Sequence, residues 1–181
     1  MITNRLTRWL ARRVGEACVA RVLDRPADFV IGGNDRPYLL RWWLVPRNPV
    51  FNVYLHCFLR DDDDRALHDH PWPSLSLSLG RPLQTEMNGV RIDPSAHLEE
   101  VYKDRRGDER HRTIPFGALV WRGPKFAHRL IVPVAGVLTI FITGPRVRAW
   151  GFHCPQGWRH WKEFTGYAQH GDSARVGKGC E

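Results

Sequence analysis

His68-Asp69-His70, followed by Pro71-Trp72, sets two imidazoles two residues apart, and a third histidine, His128, follows a Gly123-Pro124 turn far downstream. In an extended strand, side chains two apart share a face, so His68 and His70 project together while Asp69 points away. Two imidazoles at that spacing can hold one metal ion through bonds of about 2.0–2.1 Å. His128, from a distant strand, would complete a facial grip and leave coordination positions open for substrate or water. An isolated His-x-His more often caps a loop by hydrogen bonding, with His128 then an ordinary buried histidine. The distant histidine behind a Gly-Pro turn, in a chain rich in strand patterns, favours the metal. Tyr54, Arg112, Trp121 and Arg129 are candidate groups behind the metal or against a substrate, and His56 is a candidate cavity residue. For the two arginines a plain surface role fits equally well.

The elements that must position these residues are mostly strands. Residues 3–23 read as an amphipathic helix, with Leu6, Leu10, Val14, Cys18 and Val22 on one i+4 line and Trp9 and Ala17 beside it. Thr3 or Asn4 suits its cap. Such a basic helix suits a membrane or DNA surface, but packing across a β domain is the stronger reading. From residue 27 the period becomes strand-like: 29–31, 38–45, 50–59, 68–79, a hairpin of 83–87 and 90–93 about Asn88-Gly89, then 110–114, 118–122, 128–132, 137–143 and 146–154. In 50–59, Tyr54, His56 and Phe58 share one face and Leu55 and Cys57 the other. Residues 94–109 are polar and read as loop or irregular strand, 158–167 as a short helix, and the glycine-rich tail from Gly166 as loose. Consecutive aspartates, 61–64, lack the alternating spacing of a calcium loop and read as an acidic turn.

Strand parity past His70 leaves two arrangements. If alternation continues, Trp72, Ser74, Ser76 and Ser78 share the metal's face, and the leucines between them point outward, needing cover from the helix or a second subunit. A bulge at Pro71 or Pro73 would reverse this, and leucine's preference for a core favours the reversed case.

The 181 residues, 43% hydrophobic and 25% charged, suffice for one domain, and 13 prolines with 16 glycines suit a turn-rich β fold. The formal net charge of +8 favours anionic partners, yet arginine is dispersed and no nucleic-acid-binding signature is present, so nucleic acid is not expected as a partner. No apolar run is long enough to span a bilayer. Cys18, Cys57, Cys154 and Cys180 form no Cys-x-x-Cys pair and read as free thiols of a reducing compartment, pointing to the cytoplasm.

His68-x-His70 near a strand start, followed by a glycine-bearing hairpin and then Gly117-x5-Gly123-Pro124 leading to His128, resembles the two-motif signature of the cupin superfamily. The strings Leu67-His-Asp-His-Pro-Trp72 and Gly144-Pro-Arg-Val-Arg-Ala-Trp-Gly-Phe152 are also similar to uncharacterised bacterial and phage cupin-like proteins. The resemblance implies an all-β, cupin-type double-stranded β-helix (a jelly-roll barrel): an N-terminal helix packed on the barrel (1–26), the barrel (27–155), and a short C-terminal helix with a loose tail (156–181). It also implies one divalent metal on His68, His70 and His128. The glutamate of the first cupin motif falls on Ser74 or Leu75, so three neutral imidazoles would leave the cation its full double charge and a preference for anionic ligands. Glu86 or Glu100 could supply a carboxylate from a neighbouring strand. Three-histidine sites of this type resemble those of thiol dioxygenases, where the metal is ferrous iron, although imidazole ligation alone does not choose between iron, zinc, nickel and copper, and manganese is a further alternative. The implied function is a metal-dependent oxygenase acting on a small anionic molecule. The alternative is a non-catalytic module that binds a small ligand or metal. Pairing into a homodimer through sheet extension is a further expectation.

Overall fold

Asn4 starts the first helix: its side-chain oxygen accepts from the Thr7 amide at 2.9 Å while the Thr7 hydroxyl accepts from the Asn4 amide at 3.0 Å. This reciprocal cap satisfies donors that the first turn leaves open. The helix that follows is α1 (Arg5–Val22). The computed structural model describes residues 1–22, 25–32, 36–62, 66–84, 90–167 and 179–181. The Asn88-Gly89 turn, Glu86, Asp63, Asp64 and tail residues 168–178 lie outside the described residues.

After α1 come β1 (Phe29–Ile31), β2 (Leu39–Trp43), β3 (Asn52–Phe58), β4 (Leu67–His68), β5 (Ser74–Gln84), β6 (Val90–Asp93) and β7 (Leu98–Lys103). The chain continues with β8 (Glu109–Ile114), β9 (Leu119–Arg122), β10 (His128–Ile131), β11 (Val137–Thr143), β12 (Gly151–Cys154), β13 (Gly157–His160) and α2 (Trp161–Phe164). Two antiparallel sheets result. One runs β1-β2-β3-β11-β5-β6, with β9 also paired to β5; the other runs β13-β12-β4-β10-β7-β8. From β3 to β5 and again from β9 to β12, successive strands alternate between the two sheets, which is the jelly-roll arrangement. Inner faces meet over Leu39, Phe58, Val120 and Val137 from one sheet and Leu98, Ile114 and Leu130 from the other. The fold is therefore an all-β jelly roll with an N-terminal helix.

The parity of the histidines recurs in β5, although residues 69–73 between them are not strand and β4 and β5 belong to different sheets. Leu77 and Leu79 point outward into a cluster with Leu55, Leu138 and Ile140, and α1 covers that cluster through Ala11, Val19 and Val22. Ser76 and Ser78 point inward, so the reversed parity favoured on leucine burial is incorrect: α1 supplies the leucines with a core of their own. A bulge does occur, but later, where Gly80 takes a φ of 72° and the β5–β11 register shifts.

The face that α1 buries follows the i+4 line only in its second half: Val22 is buried and Val14 and Cys18 pack against the core beside buried Ala11, Gly15 and Val19, whereas Leu6 is 69% and Leu10 42% exposed. Small residues let the helix axis approach the sheet. A Cβ at Gly15 would already sit 3.5 Å from Ile92. Three assignments along the chain need correction. The 94–109 segment contains β7, in the interior of its sheet; the last long strand shortens to β12; and β13 occupies part of the expected C-terminal helix. Cys154 and Cys180 are not free thiols but form a disulfide, because the β12–β13 hairpin and α2 fold the C-terminus back onto β12. Cys18 and Cys57 are free. No helix among the described residues is long and apolar enough to cross a membrane.

Candidate metal centre

β4 and β10 pair antiparallel, and their register sets His68 directly opposite His128. Directly paired residues of neighbouring strands share a face, which explains how residues distant in sequence meet. His70 lies just beyond β4, its amide donating to the Pro124 carbonyl at 3.3 Å, so the Gly-Pro turn before His128 also fixes the backbone of His70. The three rings have centroids 5.1, 5.1 and 5.2 Å apart, and one nitrogen from each lies within 4.8 Å of the others.

These residues fit a divalent cation. His70 Nε2 and His128 Nε2 are 3.0 Å apart. Two metal–nitrogen bonds of about 2.0–2.1 Å meeting near a right angle would separate their nitrogens by about 2.9 Å. The opposite ring nitrogens agree with this. His128 Nδ1 sits 2.7 Å from Glu100 Oε1, and His68 Nδ1 sits 3.2 Å from Asp62 Oδ2. A proton drawn to Nδ1 by each carboxylate leaves the Nε2 lone pair for a metal. Burial, with smaller contributions from neighbouring cationic groups, pushes His128 down to about 4 against the upward pull of Glu100; burial likewise holds His70 well below its ordinary value. Both imidazoles are thus kept neutral, the form that ligates.

Glu100 is 0% exposed and is surrounded by donors. Arg122 Nε reaches its Oε1 at 2.6 Å and Arg112 Nε its Oε2 at 2.6 Å, while a second Arg122 nitrogen donates to Ser76 Oγ at 2.8 Å. Burial alone would raise the Glu100 carboxyl, but His128, Arg122 and Arg112 outweigh it and hold the group below the usual carboxylate range. Glu100 therefore lies behind His128 and outside the three-nitrogen cluster; it is not the carboxylate missing from the first motif.

Asp69 performs the matching task outside the cavity. Pointing away from the cluster and buried, its carboxylate accepts from the Gly151 amide at 2.9 Å and Trp158 Nε1 at 3.0 Å, pairs with Arg148 at 2.7 Å, and contacts His153 at 3.2 Å. The stretch carrying two of the histidines is thereby tied to β12, β13 and the segment before them.

The cluster opens into a cavity of about 660 Å³ lined by residues of both sheets. Among the residues nominated from sequence, His56 lines it. Tyr54 is buried beneath the Arg41 guanidinium, 4.8 Å from ring to carbon. Arg112 is committed to Glu100, and neither it nor Arg129 lines the cavity. Trp121 is 63% exposed and faces away, a correction that follows from parity: Arg122, its neighbour in β9, takes the inward position. Sequence reading passed over Arg41 and Arg122, which line the cavity, and Asp62, which also backs His68. Arg41 was legible in principle, since it alternates with Leu40 and Trp42 of the outer cluster. Glu100, nominated as a carboxylate from a neighbouring strand, does come to the site, but behind His128 rather than among the ligand atoms.

No family model matches the chain, and no curated protein matches its sequence. Among solved structures it is similar to DMSP lyase DddQ from Ruegeria pomeroyi DSS-3, with 12% identity and a TM-score of 0.47 over 69% of this chain and 57% of that one. It is also similar to hydroxypropylphosphonic acid epoxidase from S. wedmorenis, with 14% identity and a TM-score of 0.42 over 64% of this chain and 54% of that one. Oxalate decarboxylase from Bacillus subtilis gives 10% identity and a TM-score of 0.45 over 78% of this chain and 31% of its own length. The chain thus spans little more than half of the first two and under a third of the last.

Proposed function

We propose that this protein is a metal-dependent enzyme, an oxygenase acting on a small anionic molecule, with ferrous iron held by His68, His70 and His128. The observation that carries this reading is the pairing of converging Nε2 atoms with carboxylates on the far side of two of the rings. When bound, such a cation supplies a Lewis-acidic, redox-active centre with positions left for substrate and oxygen. The chain's own contribution is to hold neutral imidazoles in one orientation and to enclose the reactants in a cavity with an apolar wall. Three neutral ligands leave the cation's charge uncompensated, which favours an anionic substrate.

The alternative, a binding module without turnover, draws support from the occupation of both nearby carboxylates: Glu100 and Asp62 face histidines, so neither is a ready proton acceptor for a substrate. Elemental analysis of protein purified without a histidine tag tests the metal. Near-stoichiometric iron or another divalent transition metal is expected, and a His68→Ala/His128→Ala variant should contain none; persistent absence of metal from the wild type refutes the reading. Oxygen uptake by iron-loaded protein across a panel of thiols and small acids then separates enzyme from module.

A further inference from the structure

Four strands of the larger sheet share one register row on the cavity face. Arg41 of β2 is paired with His56 of β3, His56 with Thr139 of β11, and Thr139 with Ser78 of β5. All four side chains line the cavity, and at about 4.8 Å per strand the row runs about 14 Å. Arg41 Nε donates to His56 Nε2 at 2.9 Å, and the guanidinium lies over the Tyr54 ring. His56 is itself fixed by stacking on Phe141 at 5.0 Å and Tyr54 at 5.8 Å. Neither terminal nitrogen of Arg41 has an acceptor or a carboxylate partner among the described residues. Arg122 differs, since Glu100 occupies its Nε and Ser76 one of its two terminal nitrogens. Two further polar atoms on residues lining the cavity are buried without a partner: Ser78 Oγ, on a residue 1% exposed, and Trp72 Nε1. Buried polar groups are rarely left unpaired, so orphans that line one cavity point to a ligand.

We propose that Arg41 is the anion anchor of this cavity: its two terminal nitrogens clamp the carboxylate of a small monocarboxylic acid, whose polar substituents meet Ser78 and Trp72. The reading rests on the function proposed above, which calls for an anionic substrate, and names the group that selects it. The planar fork of a guanidinium matches the two oxygens of a carboxylate, and both terminal nitrogens of Arg41 are available to it. His56 and Tyr54 are positioning residues that hold the fork still.

The test uses metal-free wild-type protein, so that binding is read without turnover. Propanoate, butanoate, pentanoate and hexanoate are titrated calorimetrically, each beside its primary amide, with inorganic phosphate as a further probe. At least one carboxylate should bind about tenfold or more tightly than its amide, and Arg41→Gln should abolish that preference. Arg41→Lys, which keeps the charge and loses the fork, should retain part of it. Equal binding of acids and amides, no binding of any acid, stronger binding of phosphate, or an Arg41→Gln protein with wild-type affinity overturns the proposal. The same titration on His70→Ala/His128→Ala protein separates the two readings. Retained carboxylate binding leaves the anchor standing where the metal fails, whereas stoichiometric metal in a wild type that ignores carboxylates removes the anchor alone.

Discussion

Glu100 is the residue on which most of the site's polar contacts converge. Replacing it with glutamine leaves the volume but removes the charge facing His128, Arg112 and Arg122. Metal affinity should fall by about 10–100-fold, read by competition against a chelating dye. Global stability should fall by about 3–5 kcal/mol in denaturant titration, because Arg122 would be left as an uncompensated buried charge. His56 gives a pH signature. Burial, aided by the charge of Arg41, holds it well below its ordinary 6.5, so on acidification the unfolded chain takes up a proton that the folded chain refuses. The unfolded state then binds more protons, and stability is lost as pH falls below about 6.5. In His56→Gln the slope of stability against pH in that range should be shallower by up to about 1.4 kcal/mol per pH unit, measured as denaturation midpoints across a pH series. The three clustered histidines were legible because His-x-His parity and a Gly-Pro turn are local signals. Glu100 is in view from the sequence as a carboxylate of a neighbouring strand, but its place behind His128 is not, because the two meet only through the pairing of β7 with β10.

At the scale of elements, α1 docks through small residues, and two glycines at its interface should respond in opposite directions to the same change. Gly15 lies inside the helix, and its added Cβ would meet Ile92 and Leu79 at ordinary contact distances of 3.5–3.6 Å. Gly15→Ala should therefore stabilise the protein by about 0.5–1 kcal/mol through helix propensity and reduced freedom of the unfolded chain. Gly117 has a φ of 77° and would place its Cβ 2.7 Å from Arg8 Cα, so Gly117→Ala should destabilise by 1 kcal/mol or more, on the order of a strained left-handed residue plus a displaced helix. Chemical denaturation of the two variants side by side decides this. The existence and length of α1 were readable from its period, and so was its buried face from Val14 to Val22, but not in its first half. A leucine line marks a hydrophobic face, whereas close approach to a sheet selects alanine and glycine. The inward serines of β5 were missed for a related reason, since the leucine preference assumed one core where α1 creates a second.

For the whole molecule, the Cys154–Cys180 disulfide closes the C-terminal region, with a sequence separation of 26. Loop closure of that size is worth about 3 kcal/mol, so reduction or Cys180→Ser should lower the denaturation midpoint accordingly. Thiol titration gives an independent count: two thiols in denaturant without reductant and four after reduction, from the four cysteines of the chain. In the native state Cys57 should react slowly, since burial pushes its thiol up to about 11. The pairing was hidden because nothing in the spacing of 154 and 180 anticipates a hairpin and a helical turn between them. The leucine stripe that suggested sheet-mediated pairing of two copies is covered by α1 within one chain, which removes that argument for a dimer. The anchoring of Asp69, which sits between His68 and His70 in the chain, has an optical consequence. Trp158 donates its indole proton to that carboxylate yet is 42% exposed, so the far end of a rigid tripeptide is a fluorophore at the surface. Loading the cavity with a cation should shift its emission, visible as the difference between wild-type and Trp158→Phe spectra, and so give an intrinsic gauge of occupancy that needs no knowledge of the substrate.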